Sequence, residues 1–289
     1  MASTRAAARP EVHNSVTTTG LDVVEQPLGG WARLYENAAL RKAVLLIVLA
    51  LIWELYARWL GNPLLFPTFT ATLDALFSGL ASGELPSAAA YTISLLLKGY
   101  VAGLALAALL TAFASATRIG ADLLETLTAM FNPLPSIALL PLALIWFGLG
   151  DGSVIFVLIH AVLWSVALNT FAGFKALSPT LKMVGHNYGL SRLGYIGRIL
   201  IPGAFPSILT GLKIGWAFAW RTLIAAELVF GVSSGTGGLG WYVFENKNQL
   251  LIPETFAGLL TVIVFGLLVE NLIFRSIENR TVKRWGMQS

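Results

Sequence analysis

Two long stretches without a charged side chain dominate this sequence. Residues 131–150 contain no Asp, Glu, Lys or Arg, and neither do residues 152–174. Each stretch is long enough to span a bilayer, because a helix needs about 20 mostly apolar residues to cross the hydrocarbon core. Charged residues make up only 12% of the chain, about half the share in soluble domains. The chain is therefore a membrane protein.

Four further apolar stretches complete a predicted set of six transmembrane helices. They are residues 43–60, 87–117, 206–230 and 255–274. We therefore predict an all-α integral membrane protein in which residues 42–289 form a six-span transmembrane domain. Residues 1–41 show no sustained apolar period and are predicted to be a cytoplasmic, largely flexible tail.

The positions of Lys and Arg predict the orientation. Fourteen of the 19 lie in the tail, in the connections between spans two and three and between spans four and five, or after span six. The three opposite loops, about 61–86, 149–153 and 231–254, contain only one Lys or Arg residue, Lys247. Since Lys and Arg concentrate in cytoplasmic loops, both termini are predicted to be cytoplasmic. The positive charges are scattered between apolar stretches and not gathered on one face, which excludes a nucleic-acid partner.

The connection between spans four and five, about residues 176–205, has amphipathic character. Ser178 and Pro179 are typical of a helix start, and Gly189 is typical of a helix end or a bend. A second amphipathic stretch, residues 192–200, is predicted to end at Pro202. Two short helices across a bend are consistent either with a docking surface for a partner or with a segment resting on lipid headgroups.

Three prolines fall within nine residues of the third predicted span. Pro133, Pro135 and Pro141 each lack a backbone N–H and disturb a helix. Inside a membrane, such breaks persist only where protein or a water-filled cavity satisfies the freed carbonyls. Together with Ser136, they favour a broken helix that lines a cavity over a simple packing kink.

Charged residues inside span five have two interpretations. Lys213, Trp220 and Glu227 recur every seven residues and share one helix face, with Trp216 beside them. Arg221 lies roughly 100° away around the helix. Its side chain either faces a pathway and attracts an anion or pairs with a neighbouring helix. Two glycine pairs at GxxxG spacing, in spans two and five, are interpreted as helix packing points.

No motif for ATP binding or catalysis occurs in the chain. The phosphate-binding pattern G-x-x-x-x-G-K-[ST] is absent, so any ATP must be bound by another chain. The three histidines, His13, His160 and His186, lie in the tail, in a span and in the amphipathic connection. The chain has no cysteine, which rules out disulfides and thiolate metal sites. We therefore predict no enzyme activity, no cofactor and no metal for this chain.

The amphipathic connection resembles the cytoplasmic signature of type I ABC importer permeases. That signature is Glu-Ala-Ala, three residues, Gly, nine residues, and Ile-x-Leu-Pro. Here Met183-Val184-Gly185 occupy the first positions, Gly189 the glycine, and Ile199-Leu200-Ile201-Pro202 the end. Met183 replaces the usual Glu. Residues 131–150 and the run Gly237-Gly238-Leu239-Gly240 resemble the nitrate/sulfonate/bicarbonate branch, which includes the taurine permeases.

The resemblance implies the type I permease fold, with the amphipathic connection acting as a coupling helix. It also implies a bacterial inner-membrane importer with two such permeases, expected to be identical, which form the pathway for a small anion such as a sulfonate, taurine, nitrate or bicarbonate. The expected partners are two cytoplasmic ATPase subunits that bind ATP and Mg, and a periplasmic or lipid-anchored solute-binding protein. The residues expected to dock the ATPase are Met183, Val184, Gly185, His186, Asn187, Tyr188, Gly189 and Leu190. Those expected along the translocation pathway are Pro133, Pro135, Ser136, Pro141, Trp216, Trp220, Arg221 and Glu227.

Two other classes of protein compete with this interpretation. A secondary transporter driven by an ion gradient would show inverted repeats with paired broken helices, and only one broken span is visible in the sequence. A membrane scaffold would have no need of three prolines and several charges within its spans.

Overall fold

The structure, a computed structural model, describes residues 37–230 and 237–284. Within these ranges the chain is helical between short connections and contains no strand, which confirms the predicted all-α class. The predicted tail, residues 1–41, lies almost wholly outside the described residues. Contacts divide the chain into Met1–Leu51 and Ile52–Ser289. Of the first unit the structure describes only residues 37–51, most of which belong to the first helix.

The helices follow one another with short connections. In chain order they are α1 (Ala38–Leu60), α2 (Phe69–Ser82), α3 (Glu84–Ala116), α4 (Arg118–Phe131), α5 (Leu140–Phe147), α6 (Asp151–Ala176), α7 (Pro179–Asn187), α8 (Arg192–Tyr195), α9 (Ile201–Phe230), α10 (Leu239–Asn248), α11 (Ile252–Leu268) and α12 (Arg275–Arg280). A 3-10 turn, Ser136–Leu139, precedes α5. Two π turns, Ile196–Leu200 and Val269–Phe274, join α8 to α9 and α11 to α12 without leaving the helical region.

Four helical segments in the described ranges are long and apolar enough to cross a membrane. They are Glu84–Ala116, Asp151–Ala176, Ile196–Val229 and Ile252–Arg280. Helix α4 and the segment Ser136–Phe147 pass the same test together, but they are bent by 89° and contribute at most one more span. Helix α1 is not among these segments. The predicted count of six is therefore not confirmed, and a crossing by α1 stays a prediction.

Two helices occupy regions that the charge pattern predicts only as loops. Helix α2 lies in the loop predicted at about 61–86, and α10 lies in the loop at about 231–254. Helix α2 begins where the hydroxyl of Thr68 accepts a hydrogen bond from the Ala71 N–H at 3.2 Å. It ends at Gly83, whose φ of 84° is left-handed. Local capping therefore defines a helix too short to be a span.

The second amphipathic stretch does not end at Pro202, so that prediction is wrong. The helix continues from α8 through the π turn into α9 and passes both Pro202 and Pro206. The Ile201 N–H bonds back to the Ile196 carbonyl, five residues earlier, directly before Pro202. In a regular α-helix the proline ring clashes with the carbonyl four residues back. The wider π turn gives the ring room and keeps the helix unbroken.

Helix α6 is the centre of the membrane domain, and glycines on α3 and α9 pack against it. A Cβ added to Gly99 would lie 2.5 Å from the Leu158 Cβ. A Cβ added to Gly103, Gly211 or Gly215 would lie between 2.8 and 3.1 Å from the nearest atom of α6. All four are the glycines of the two GxxxG pairs, so the prediction that these pairs serve packing is confirmed. Helices α3 and α9 approach α6 more closely than larger residues would allow.

Candidate functional site

The third predicted span is broken between α4 and the 3-10 turn. Pro133 and Pro135 lie in this break, and the helices on either side are bent by 89°. Pro141 instead lies in the first turn of α5, where a missing N–H disturbs no helical bond. The prediction of a broken helix is confirmed, but two of the three prolines account for the break.

A cleft of about 350 Å³ opens between the break, α6 and α9. Four of the predicted pathway residues line it, namely Pro133, Pro135, Ser136 and Arg221. The remaining walls include apolar side chains such as Phe218 from α9 and Ala161 from α6. The break therefore faces a cavity, which is where irregular backbone is tolerated at membrane depth.

Arg221 is the one formally charged residue among the lining residues of this cleft. Its side chain is exposed, and the described residues contain no ion pair to it. A guanidinium is always charged and presents planar N–H donors that match the oxygens of an oxyanion. The wall contributed by α9 is therefore a positive site open to an incoming anion.

Four cleft residues of α6 were not predicted, and two of them, His160 and Trp164, carry aromatic rings. The His160 Nδ1 lies 3.1 Å from the Ser136 Oγ, which joins α6 to the far side of the break. The Phe131 ring stacks on the Trp164 indole at 5.4 Å with an interplanar angle of 15°, and His160 lies edge-on to both rings. This aromatic group fixes the end of α4 against α6. A signal for it exists in the sequence, because an ionisable residue four positions from a Trp in a span marks one helix face.

Both α6 side chains carry a buried nitrogen without a hydrogen-bond partner. These are the Trp164 Nε1 and the His160 Nε2, and no described residue bonds to either. Trp164 is only 8% exposed, and an indole N–H can only donate. A buried donor without an acceptor costs free energy, and Trp164 belongs to the cleft lining, so a ligand that brought an acceptor oxygen to this nitrogen would relieve that cost. Together with Arg221 and the Ser136 hydroxyl, the cleft is rich in donors.

The other predicted pathway residues do not line this cleft. Trp216 packs edge-on to Tyr100 with ring centroids 5.2 Å apart. Trp220 is partly buried against two apolar clusters of the core. Pro141 and Glu227 are also absent from the cleft lining.

Glu227 caps a helix together with Thr92. Its Oε2 accepts a hydrogen bond from the Gly240 N–H at 2.8 Å, and its Oε1 accepts one from the Thr92 hydroxyl at 2.9 Å. The Thr92 Oγ1 in turn accepts from the Leu239 N–H at 2.8 Å. The carboxylate therefore lies at the positive N-terminal end of α10 and satisfies N–H groups that lack helical partners.

This cap explains two glycines of the run Gly237-Gly238-Leu239-Gly240. A Cβ on Gly238 would lie 2.1 Å from the Glu227 Oε1, and a Cβ on Gly240 would lie 2.6 Å from the Glu227 Cβ. Both positions need glycine because Glu227 occupies the space that a side chain would take, with its carboxylate at Gly238 and its Cβ at Gly240.

The predicted docking residues form one helical turn and a bend. Helix α7 begins after Ser178, whose Oγ accepts from the Leu181 N–H at 3.4 Å. It ends at Gly189, which has a left-handed φ of 60°, and the Leu190 N–H bonds back to the Gly185 carbonyl at 3.3 Å. This is the Schellman ending, in which a left-handed residue follows the last turn. Gly189 is therefore a helix end with a positive φ, as its sequence position suggested.

The bend brings α7 back against α8 and the π turn. A Cβ on Gly185 would lie 2.5 Å from the Tyr195 ring and 2.8 Å from the Ile199 Cδ1, so glycine permits the contact. Met183 and Tyr188 point away and are 61% and 80% exposed. The side chains of Val184 and His186 lie outside the described part of the structure. An exposed apolar tip on a compact helical hairpin is suited to docking.

Comparison with known proteins gives one family and several relatives. The profile of the binding-protein-dependent transport system inner membrane components matches residues 99–285. A putative ABC transporter permease of Methanocaldococcus jannaschii is 30% identical over 233 residues, 79% of this chain and 86% of that protein. The taurine transport system permease of Escherichia coli is 34% identical over 158 residues, 55% and 56% of the two chains. The nitrate import permease of a Synechocystis species is 27% identical over 247 residues, 83% and 88% of the two chains.

Proposed function

Because the chain belongs to the family of binding-protein-dependent transport system inner membrane components, we propose that it forms the pathway for a small oxyanion in an ABC importer. The family consists of transport permeases, which decides against a non-transporting scaffold. It does not consist of ATPases. Taurine carries a sulfonate group and nitrate is itself an oxyanion. The relatives named for these solutes therefore support an anionic solute for this chain.

The observation that carries the proposal is the cleft at the broken span. It combines an exposed guanidinium, a buried indole N–H without an acceptor, and a hydroxyl beside an interrupted helix. An oxyanion supplies acceptors to the guanidinium and the indole N–H, which have none among the described residues. The apolar remainder of the lining keeps binding weak enough for release, because a single charge contributes only part of a tight site.

We infer that the importer contains two copies of this chain, two ATPase subunits that bind ATP and Mg, and an external solute-binding protein. The exposed tip of α7 is the proposed ATPase contact, with both termini on the same cytoplasmic side. The second half of the docking hairpin continues through the π turn into α9, the helix that carries Arg221. A displacement of the hairpin would therefore move one wall of the cleft as a rigid body.

The test replaces Arg221 in the complete importer, co-expressed with its ATPase and binding protein and reconstituted in liposomes. Arg221→Gln should lower uptake of taurine or nitrate, whichever the wild-type complex takes up, by about tenfold, the effect of one charge-assisted hydrogen bond. Arg221→Lys should retain part of the uptake, because it keeps the charge but not the planar donors. Basal ATP hydrolysis and the melting temperature should stay at wild-type values.

Arg275→Gln is the matched control. Arg275 is an exposed arginine outside the cleft, so this variant removes the same charge without changing the pathway. A lower melting temperature in Arg221→Gln, with uptake reduced only in proportion to the surviving complex, would show a structural role and overturn the pathway assignment.

A further inference from the structure

The Ser136 hydroxyl has a different environment from hydroxyls on the regular membrane helices. The hydroxyls of Thr210 and Thr261, for example, donate to the carbonyl four residues earlier at 2.9 and 2.8 Å. Such a bond uses the single proton that a hydroxyl carries. Ser136 follows the break between α4 and the 3-10 turn, so no α-helical turn directly precedes it to supply that carbonyl. Its proton is therefore available to a partner across the break or in the cleft.

The partner across the break is the His160 ring on α6. The Ser136 Oγ and the His160 Nδ1 lie 3.1 Å apart. The ring lies edge-on to the Phe131 and Trp164 rings, with centroids 6.3 and 6.1 Å away, and these contacts fix its position. A neutral imidazole carries one proton, on either Nδ1 or Nε2. Whether His160 donates or accepts in this hydrogen bond therefore depends on which nitrogen carries that proton.

The surroundings of the His160 Nε2 favour the proton on Nδ1. The Nε2 atom is buried and has no hydrogen-bond partner among the described residues. A proton there would make a buried N–H without an acceptor, and such orphaned N–H groups are rarer in folded proteins than acceptors that lack a donor. A proton on Nδ1 instead finds the Ser136 Oγ at 3.1 Å. These costs favour His160 as the donor and the serine oxygen as the acceptor.

We propose that His160 is a positioning residue for the solute. Its Nδ1–H holds the Ser136 oxygen, which leaves the Ser136 O–H to donate into the cleft, to the anion that Arg221 attracts. All three residues line this cleft, and Ser136 is partly exposed. A hydroxyl that accepts one hydrogen bond still has its own proton to give. This role rests on the proposed oxyanion pathway and adds to it a residue that acts through Ser136.

Holding the hydroxyl matters because a serine O–H otherwise rotates to suit its surroundings. A donor that is already oriented loses less conformational freedom when the anion arrives, so more of its hydrogen-bond energy is available for binding. The buried Nε2 of His160 offers no proton to the cleft. Any effect of the His160 nitrogens on uptake should therefore pass through the Ser136 hydroxyl.

The test is a double-mutant cycle on the complete importer, reconstituted in liposomes with its ATPase and binding protein. Ser136→Ala removes the hydroxyl, and His160→Phe keeps an aromatic ring beside Phe131 and Trp164 but removes the N–H. Each should lower uptake of taurine or nitrate, whichever the wild-type complex takes up, about fivefold, the effect of one neutral hydrogen bond. The double variant should be no lower than Ser136→Ala, because both changes remove the same contact.

Two further variants separate positioning from packing. His160→Asn places an amide N–H where Nδ1 lies and should retain most of the wild-type uptake. Thr222→Val is the matched control, because Thr222 supplies another hydroxyl to the cleft lining but has no hydrogen bond to His160 among the described residues. Its effect should multiply with that of His160→Phe, as expected for independent sites. Uptake is normalised to the amount of assembled complex, and thermal melting is measured on the same preparations.

Losses that multiply between Ser136→Ala and His160→Phe would overturn the positioning role. So would a loss in His160→Asn as large as that in His160→Phe. Wild-type uptake in Ser136→Ala, together with reduced uptake in Arg221→Gln, would overturn this role and leave the proposed function intact. Wild-type uptake in Arg221→Gln would overturn the proposed function and the role of His160 with it.

Discussion

Two donors in the cleft have different environments, and the difference defines their expected roles. Arg221 is exposed and can change partners as the importer moves, whereas the Trp164 N–H is buried and fixed by ring stacking on Phe131. Neither has an acceptor among the described residues. At the scale of single residues, we expect the guanidinium to attract the anion by its charge. We expect the indole N–H to orient the anion through a directional hydrogen bond.

The Trp164→Phe variant separates the contribution of the N–H donor from that of the stacked ring. The phenyl ring keeps the stack on Phe131 but removes the N–H, so uptake should fall about five- to tenfold, the effect of one neutral hydrogen bond. The melting temperature should stay constant or rise, because the variant also removes an unsatisfied buried donor. Uptake and thermal melting are measured on the same preparation. Wild-type uptake with a lower melting temperature would assign the indole to packing alone.

The sequence could predict the cleft only in part, for reasons visible at single residues. Pro133 and Pro135 predict a broken helix because each lacks a backbone N–H, and Arg221 is conspicuous as a charge within a span. His160 and Trp164 become cleft residues only because α6 packs across the break, and that contact is not encoded locally. The helix cap formed by Glu227 is also not encoded locally, because its hydrogen-bond partners Thr92 and Gly240 are 135 and 13 residues away in sequence.

At the scale of elements, the helices predicted best are those defined by length and hydrophobicity. The prediction of 152–174 corresponds to Asp151–Ala176, and that of 87–117 corresponds to Glu84–Ala116. Helix α10 was missed because its N-terminus is capped by side chains from two other helices. No local sequence signal reports such a cap.

Thr92→Val tests this long-range cap. The change leaves the Leu239 N–H without its acceptor and removes one donor from the Glu227 carboxylate, so the complex should lose about 2–4 kcal/mol of stability. Thr128→Val is the matched control, because the Thr128 hydroxyl is also buried but has no partner among the described residues. Its unfolding free energy should stay within about 1 kcal/mol of wild type. Equal losses in both variants would show that the cap contributes nothing.

The bend of the docking hairpin depends on the positive φ of Gly189. Gly189→Val should strain it by more than about 1–2 kcal/mol, since a β-branched residue disfavours the left-handed region. Gly197→Val is the control, because Gly197 also has open space around its Cα but no positive φ. We expect Gly189→Val to lose solute-stimulated ATP hydrolysis while Gly197→Val retains most of it. Normal stimulation in Gly189→Val would show that the bend is not needed for coupling.

At the scale of the whole molecule, the fold connects a surface hairpin to a membrane-depth cleft through one continuous helix. The hairpin is compact because Gly185 permits contact with Tyr195 and Ile199, and its second half leads into α9 without a break. The glycine contacts on α6 hold α3 and α9 close to the central helix. In the proposed importer, this arrangement would carry a movement of the hairpin to the wall that contains Arg221.

If the cleft belongs to the translocation pathway, water must reach it, and thiol labelling measures this accessibility. The chain has no cysteine, so Ser136→Cys places one thiol in the cleft, and Leu109→Cys places one on α3 at a residue that is 68% exposed but outside the cleft. The importer is treated with a charged, membrane-impermeant thiol reagent, once without nucleotide and once with ATP trapped. We expect Ser136→Cys to be modified at rates that differ between the two states, with loss of uptake, and Leu109→Cys not to be modified. A Ser136→Cys complex that transports normally and resists the reagent in both states would contradict it.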